Sequence, residues 1–255
     1  MKKTLIALMA LAGVASAYDV WTFDATTADK NGTVTTAPIT INIEGFGQTS
    51  TTAVTYVDGS YSYVVAPEGS DFSTGSGATS NAFTLMTYVN FDTITSGTEY
   101  FIFGTGETNG GGTAINYIGG QLSLSQKTKS HNTTTGVSLE ADTWYHIALA
   151  YDGSDNSMDV FVNGELQKSI TLTGDYVAPS NSKIYFGAGS TNGGQDDFAG
   201  SIAQFQIVQG VALGASDIKA IAIPAAPETP SVPEPATATL SLLALAGLAA
   251  RRRRK

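Results

Sequence analysis

The sequence predicts an all-β fold, an antiparallel β-sandwich, over residues 18–223. Runs rich in β-branched and aromatic residues are short and are separated by Gly, Asn, Asp, Ser and Thr. Asp152-Gly153 and Asn163-Gly164 lie between such runs, and the second pair leaves only two residues to reverse the chain, as a type I′ hairpin does. About two hundred residues without cysteine suit one large core rather than a disulfide-stapled miniprotein.

Eleven runs are predicted as strands, and one short helix follows them. The helix covers Ser216 to Ile221, with Ser216 as its N-cap and Asp217 in its first turn. The predicted strands are Ile39 to Ile43, Ala53 to Val57, Tyr61 to Val65, Phe83 to Phe91, Tyr100 to Phe103, Leu122 to Leu124, Trp144 to Tyr151, Met158 to Val162, Glu165 to Ile170, Lys183 to Phe186 and Ser201 to Val208.

Residues 1–17 have the layout of a secretory signal peptide. Lys2 and Lys3 precede an apolar run that begins at Leu5, and the segment ends with small residues at Ala15 and Ala17. The apolar run is about 15 Å long as a helix, roughly half the hydrocarbon thickness of a bilayer. We therefore expect a signal helix that engages the export machinery and is cleaved before Tyr18.

The C-terminal end combines a proline-rich linker with a short apolar helix and a basic end. Five of the eight prolines lie in residues 224–235. The apolar segment 236–250 is followed by five basic residues, 251–255, and such residues resist translocation out of the cytoplasm. We expect the segment 236–255 to hold the chain in the membrane and to leave the domain outside.

The last two dozen residues resemble the PEP-CTERM sorting tail of Gram-negative bacteria. The resemblance rests on three parts in order: the Pro-Glu-Pro motif, the apolar helix and the arginine cluster. It implies cleavage by an exosortase-like protease, transient inner-membrane anchoring, and a cell-envelope, surface or extracellular-matrix location. A permanent tail anchor is the alternative. The motif residues are Val232, Pro233, Glu234, Pro235, Arg251, Arg252, Arg253 and Arg254.

The stretch ADTWYHIALAYDGSDNSMDVFVNGELQKS resembles LamG-like, concanavalin A-like jelly-roll domains. The family's Trp-x-His strand, Tyr-Asp-Gly turn and Phe-Val-Asn-Gly hairpin occur in order, and FTLMTYVNFD and FAGSIAQFQIVQGVALGASDIKAI resemble its early and closing strands. The resemblance implies a jelly roll. Ala203 and Gln204 depart from the pattern, because relatives often have an acidic residue there.

The predicted strand from Trp144 to Tyr151 alternates between two faces. Trp144 and His146 share one face, and we expect both side chains to pack in the core, with one hydrogen-bond partner for the histidine. We therefore do not expect His146 to be a base or a metal ligand.

Charge and motifs narrow the function classes. Residues 18–250 contain six basic and 22 acidic residues, a formal charge of −16, which disfavours nucleic acid as a partner. Glu140-Ala141-Asp142 is the nearest approach to the Glu-x-Asp-x-Glu motif of sandwich glucanases, and it lacks the third acid. We expect no catalytic residues, although a glycoside hydrolase with an unrecognised carboxylate pair stays open.

Two stretches, FGTGETNGGGT from Phe103 and FGAGSTNGGQD from Phe186, echo each other and are expected to be strand-end loops. We expect a non-catalytic binding protein for polysaccharide or glycoprotein; the alternative is a structural or adhesive matrix protein. No cofactor is required in this interpretation, and calcium is the optional ligand. The candidate ligand-binding residues are Tyr117, Asn109, Asn192 and Gln195; the candidate calcium ligands are Asp152, Asp155, Asn156, Asp196 and Asp197.

Overall fold

The structure is a computed structural model. It describes residues 2–7, 17–23, 33–34, 38–56, 63–66, 82–105, 113–126, 131–172, 183–188 and 198–223. The chain divides into two compact units, Met1–Pro224 and Ala225–Lys255. The tail expected to form a membrane helix lies outside the described residues, and no helix within them is long and apolar enough for a membrane span.

The described residues form seventeen strands and one helix, so the all-β prediction is confirmed. The elements are β1 Lys2–Ala7, β2 Ala17–Phe23, β3 Thr33–Val34, β4 Ile39–Ile43, β5 Gly47–Thr51, β6 Ala53–Tyr56, β7 Val64–Val65, β8 Ala82–Phe91, β9 Tyr100–Gly104, β10 Thr113–Ile118, β11 Gln121–Gln126, β12 His131–Thr134, β13 Trp144–Asp152, β14 Ser157–Val162, β15 Glu165–Thr171, β16 Tyr185–Phe186, β17 Gly200–Gln209 and α1 Ala215–Ala222.

The described strands form three antiparallel sheets. The largest has nine strands, in the order β1-β2-β17-β8-β13-β14-β15, with β6 also paired to β17 and β3 paired to β6. The second has six strands, in the order β12-β11-β10-β9-β16-β7, and the third is the β4–β5 hairpin. The antiparallel β-sandwich predicted from the sequence is therefore confirmed, and it is consistent with a jelly roll.

The main core is built from strands of both large sheets. Phe91 of β8 is fully buried at its centre, with ring centroids 4.7 Å from Phe198, 5.6 Å from Tyr117 and 5.7 Å from Tyr100. Such tilted and edge-on aromatic pairs add about 0.5–1.5 kcal/mol each beyond the area that they bury. The two sheets are thus held together by an aromatic cluster.

The other face of the nine-stranded sheet is covered by α1 and by the β4–β5 hairpin. Ala148 and Ala150 of β13 pack towards Ile218 of α1, whereas Ile147 and Leu149 belong to the main core. This alternation confirms the two faces predicted for the strand. Trp144 is half-buried against the hairpin cluster, so the expectation that it fills the core is wrong.

Helix α1 begins one residue earlier than predicted. Gly214 is its N-cap, and no side-chain hydrogen bond caps it, so the assignment of that role to Ser216 is wrong. Asp217 does lie in the first turn, where its negative charge favours the helix dipole. A glycine is nearly as good as a serine at this position, which explains why the helix starts there.

The signal segment also differs from the expectation. Lys2–Ala7 form strand β1, not a helix, and pair antiparallel with β2 from Lys2↔Thr22 to Ala7↔Ala17. A strand at the edge of a sheet presents unpaired N–H and C=O groups, and an adjacent extended segment satisfies them. In residues 2–7, the pairing with β2 therefore prevails over the helix that the sequence pattern predicted.

Candidate functional site

The candidate site is the outer face of the six-stranded sheet. The outer face of the other large sheet is already covered by α1 and the β4–β5 hairpin. In β10 and β11 the side chains of Ile115, Tyr117, Leu122 and Leu124 belong to the core. Because successive side chains of a strand point to opposite faces, Asn116 and Ser123 between them face away from the main core, although both are fully buried.

Strand register places four residues on this side of the sheet in one row, of which Thr134 is exposed, Phe101 is half-buried and the other two are buried. Asn116 is paired with Phe101 on one side and with Ser123 on the other, and Ser123 is paired with Thr134. Neighbouring strands lie about 4.8 Å apart, so four positions span about 14 Å. We call this set Phe101, Asn116, Ser123 and Thr134 the polar row.

Asn116 is the most unusual member of the polar row. Its side-chain Nδ2 donates a hydrogen bond to Oε1 of Glu99, which precedes β9. Its Oδ1 is buried and has no hydrogen-bond partner among the described residues. A buried acceptor without a partner costs about 1–3 kcal/mol. The amide oxygen is therefore a free acceptor next to a carboxylate.

Aromatic side chains accompany these polar groups. Phe101 is half-buried, directly opposite Asn116. On the neighbouring strand β16, the buried Tyr185 is paired with Gly104, three residues along β9 from Phe101, and its ring makes an edge contact with Tyr63 at 5.6 Å. This face therefore combines an aromatic surface with hydrogen-bonding groups, which is the composition of a small-molecule or sugar site.

Tyr117 does not lie on this face. It is 3% exposed, its ring packs against Phe91, and its hydroxyl donates to the carbonyl oxygen of Gly120 at 2.8 Å. The same hydroxyl accepts the backbone N–H of Leu139 at 3.3 Å. This position contradicts the expectation that the ring stacks on a sugar. The aromatic ring available near the polar row is that of Phe101.

The two echoed stretches leave their strands in opposite directions. Their strands β9 and β16 pair antiparallel, with Phe103 opposite Phe186. Asn109, Asn192 and Gln195, which were expected to bind ligand, lie outside the described residues.

The first candidate calcium loop has its polar groups engaged in its own turn. Asp152 Oδ1 accepts the backbone N–H of Ser154 at 2.8 Å, and this bond lowers the pKa of Asp152. Asp155 Oδ1 accepts the N–H of Ser157 at 3.1 Å. Asn156 Oδ1 accepts the hydroxyl proton of Tyr151 at 3.2 Å.

The remaining candidate ligands, Asp196 and Asp197, lie outside the described residues. Within the described ranges, no group of three or more His, Cys, Asp or Glu side chains is arranged to hold a metal ion. Calcium binding stays a prediction.

His146 packs in a closed aromatic pocket under the β4–β5 hairpin. It is fully buried, its ring is stacked on Phe46 at 4.9 Å, and it meets the edge of Tyr88 at 4.8 Å. The predicted core position is confirmed, but the expected hydrogen bond is wrong, because neither ring nitrogen has a partner among the described residues. Burial lowers the pKa of His146 from 6.5 to about 3.

Sequence reasoning missed Glu99, Phe101 and Asn116. The one available signal was an asparagine within the otherwise strand-forming run TAINYI, since asparagine is depleted in strands. Nothing local linked it to Glu99, which is 17 residues away in the chain.

No curated protein matches the chain. Among solved structures, domain 4 of AbnA, an extracellular arabinanase of Geobacillus stearothermophilus, has a TM-score of 0.50 at 18% identity, covering 75% of this chain and 88% of that one. The binding domain of Paraclostridial Mosquitocidal Protein 1 has a TM-score of 0.51 at 18% identity, covering 76% and 47%. A Trypanosoma rangeli sialidase has a TM-score of 0.50 at 18% identity, covering 71% and 31%. These likenesses show the fold.

Two family models match the sequence itself. Residues 231–255 match the PEP-CTERM protein-sorting motif, which indicates export and a cell-envelope or surface location. Residues 58–219, well over half of the chain, match the model described as the concanavalin A-like lectin/glucanases superfamily, and the sandwich agrees with it. The chain therefore belongs to the concanavalin A-like lectin/glucanases superfamily.

Proposed function

We propose that this chain is an exported, non-catalytic protein of the cell surface or extracellular matrix that binds carbohydrate or glycoconjugate on the polar row. The observation that carries the proposal is the buried Asn116 Oδ1, which lacks a partner among the described residues and lies beside Glu99 and the half-buried Phe101. Export is inferred from the sorting motif. The same proposal includes cleavage of the signal peptide, processing by an exosortase-like protease and transient anchoring in the inner membrane of a Gram-negative cell.

The chemistry of the row suits sugars. When the face opens to a ligand, a sugar hydroxyl donates to Asn116 Oδ1, which is buried in the free protein, while Phe101 offers a face to the C–H groups of a pyranose or furanose ring. A row of about 14 Å accommodates two or three sugar units. Because the exported part carries a formal charge of −16, a neutral glycan is favoured over a uronic-acid polymer.

One solved structure of similar fold suggests which glycan to test first. The arabinanase domain was solved in complex with arabinotriose, a neutral trisaccharide of the size that the polar row accommodates. At 18% identity this likeness concerns the fold, so the ligand of that domain suggests a first compound for testing.

The test uses residues 18–224, which belong to one compact unit of the chain. A glycan array identifies a ligand, and calorimetry then compares wild type with Asn116→Ala and Phe101→Ala. Each change is expected to weaken binding about tenfold, equivalent to about 1.4 kcal/mol. Asn42→Ala, a change to an exposed asparagine of the β4–β5 hairpin, is the matched control and should bind normally.

Other results select the alternatives. A folded fragment that binds no glycan favours a structural or adhesive matrix protein without a sugar site. Hydrolysis of a bound glycan favours a glycoside hydrolase and overturns the non-catalytic part of the proposal. Calcium is tested in the same samples: if it binds, EDTA lowers the melting temperature and added calcium restores it.

A further inference from the structure

The two edges of the nine-stranded sheet differ. At one edge β15 carries the exposed charged residues Glu165 and Lys168, and a register shift at Val160/Phe161 interrupts its pairing with β14. Charges and irregularities of this kind prevent a strand from pairing with a further chain. This edge is protected.

At the other edge, β1 covers β2. Strand β2 pairs with β17 on one side, from Val20↔Val208 to Phe23↔Phe205, and with β1 on the other, from Lys2↔Thr22 to Ala7↔Ala17. The sequence YDVWTF of residues 18–23 has one charged residue, Asp19. Without β1, this strand has the features of an edge that pairs with another strand.

Export removes β1 if the signal peptide is cleaved before Tyr18, so this step rests on the proposed function. The predicted cut falls inside β2, between Ala17 and Tyr18, and separates the covering strand from the residues that it covers. The backbone groups of residues 18–22 that faced β1 then lose their partners. An exposed N–H or C=O group in an edge strand is satisfied by water or by a new strand.

We propose that signal removal opens this edge for antiparallel pairing with the same strand of a second copy, giving a two-fold symmetric dimer with a sheet that continues across both chains. Antiparallel self-pairing is isologous, so each copy offers the pattern that the other needs. With Val20 opposite Val20 of the second copy, Asp19 lies opposite Trp21, and the two Asp19 residues are not opposed. The native β1–β2 ladder shows that this side of β2 accepts an antiparallel strand.

The first test compares oligomeric states by analytical ultracentrifugation. Residues 18–224 are expected to form dimers whose fraction rises with concentration, whereas residues 1–224, which retain β1, are expected to stay monomeric. A synthetic peptide of residues 2–7, KKTLIA, should compete for the edge and dissociate the dimer, and a scrambled peptide should not. A fragment 18–224 that is monomeric at all concentrations overturns the proposal.

Proline variants locate the interface. The N–H groups of a strand point alternately to its two sides, so one of Val20→Pro and Trp21→Pro removes a donor on the open side. That variant should melt like wild type and be monomeric. The matched controls are Gln167→Pro and Lys168→Pro in β15. Whichever of these two variants folds normally should still form the dimer.

Two further results are decisive. A dimer that survives both the normally folded β2 proline variant and the KKTLIA peptide uses another surface, and it overturns the proposal. Glycan binding measured on the same samples separates this result from failure of the proposed function, because the polar row lies on the other sheet and a monomeric variant should still bind the ligand.

Discussion

Gly200, at the start of β17, has a backbone conformation that other residues avoid. Its φ is +144°, and a Cβ there would overlap the carbonyl oxygen of Asn90 and lie 2.9 Å from Phe91 Cα. Gly200→Ala should therefore lower the free energy of unfolding by about 3 kcal/mol. Gly210→Ala is the control, because its φ is +79° but no atom lies within 4 Å of the added Cβ, and it should cost about 1 kcal/mol. Equal losses in urea denaturation would contradict the steric explanation.

His146 should make stability depend on pH. Burial lowers its pKa in the folded state to about 3 from 6.5, so the unfolded state binds more protons between these values. Stability is then complete above pH 6.5 and falls as the pH is lowered towards 3. At pH 5 the loss should be about 2 kcal/mol.

The comparison protein is His146→Phe, which keeps an aromatic ring beside Phe46 and Tyr88 and removes the titration. The charged group near this pocket among the described residues is Lys219, whose Nζ is 5.9 Å from the Phe46 ring centroid and bonds to the carbonyl oxygen of Gly45. An unchanged slope of stability against pH in His146→Phe would assign the effect to other groups.

At the scale of elements, β13 separates a deep core from a thinner outer layer. Trp144 lies in the outer layer and is half-buried, whereas Phe91 is fully buried between the two large sheets. Phe91→Ala should cost about 3–5 kcal/mol, and Trp144→Ala about 1–2 kcal/mol. Thermal melts of both variants check this ranking. A larger loss for Trp144→Ala would place that side chain in the main core.

At the scale of the whole molecule, the sorting tail determines where the domain stays. If a membrane protease recognises Pro233-Glu234-Pro235, mass spectrometry of surface material should lack peptides that extend from Pro235 into Leu240. Replacing Arg251 to Arg254 with Ser removes the positive charge that opposes translocation, and the protein should then be mis-sorted. Abundant intact residues 236–255 in the surface fraction would instead identify a permanent anchor.

The sequence predicted most central strands because their signals are local. Ile39–Ile43 of β4 was predicted with its observed bounds, and positive φ values at Asn163 and Gly164, 51° and 75°, agree with the predicted type I′ turn. Strand β10 was missed, since Asn116 interrupts its apolar pattern. Helix α1 was found, but its N-cap was misplaced by two residues, as is usual for helix ends.

The sequence by itself determined the β-sandwich, its family and the sorting tail, because alternation, turn residues and terminal motifs are all encoded within a few neighbouring positions. Only the tertiary structure decided that Tyr117 is a core residue, that Phe103 and Phe186 of the echoed stretches pair antiparallel, and that Glu99 and Asn116 meet. Those facts depend on which strands pair and in which register. A shift of one residue exchanges the two faces of a strand, so short-range patterns carry too little information to place them.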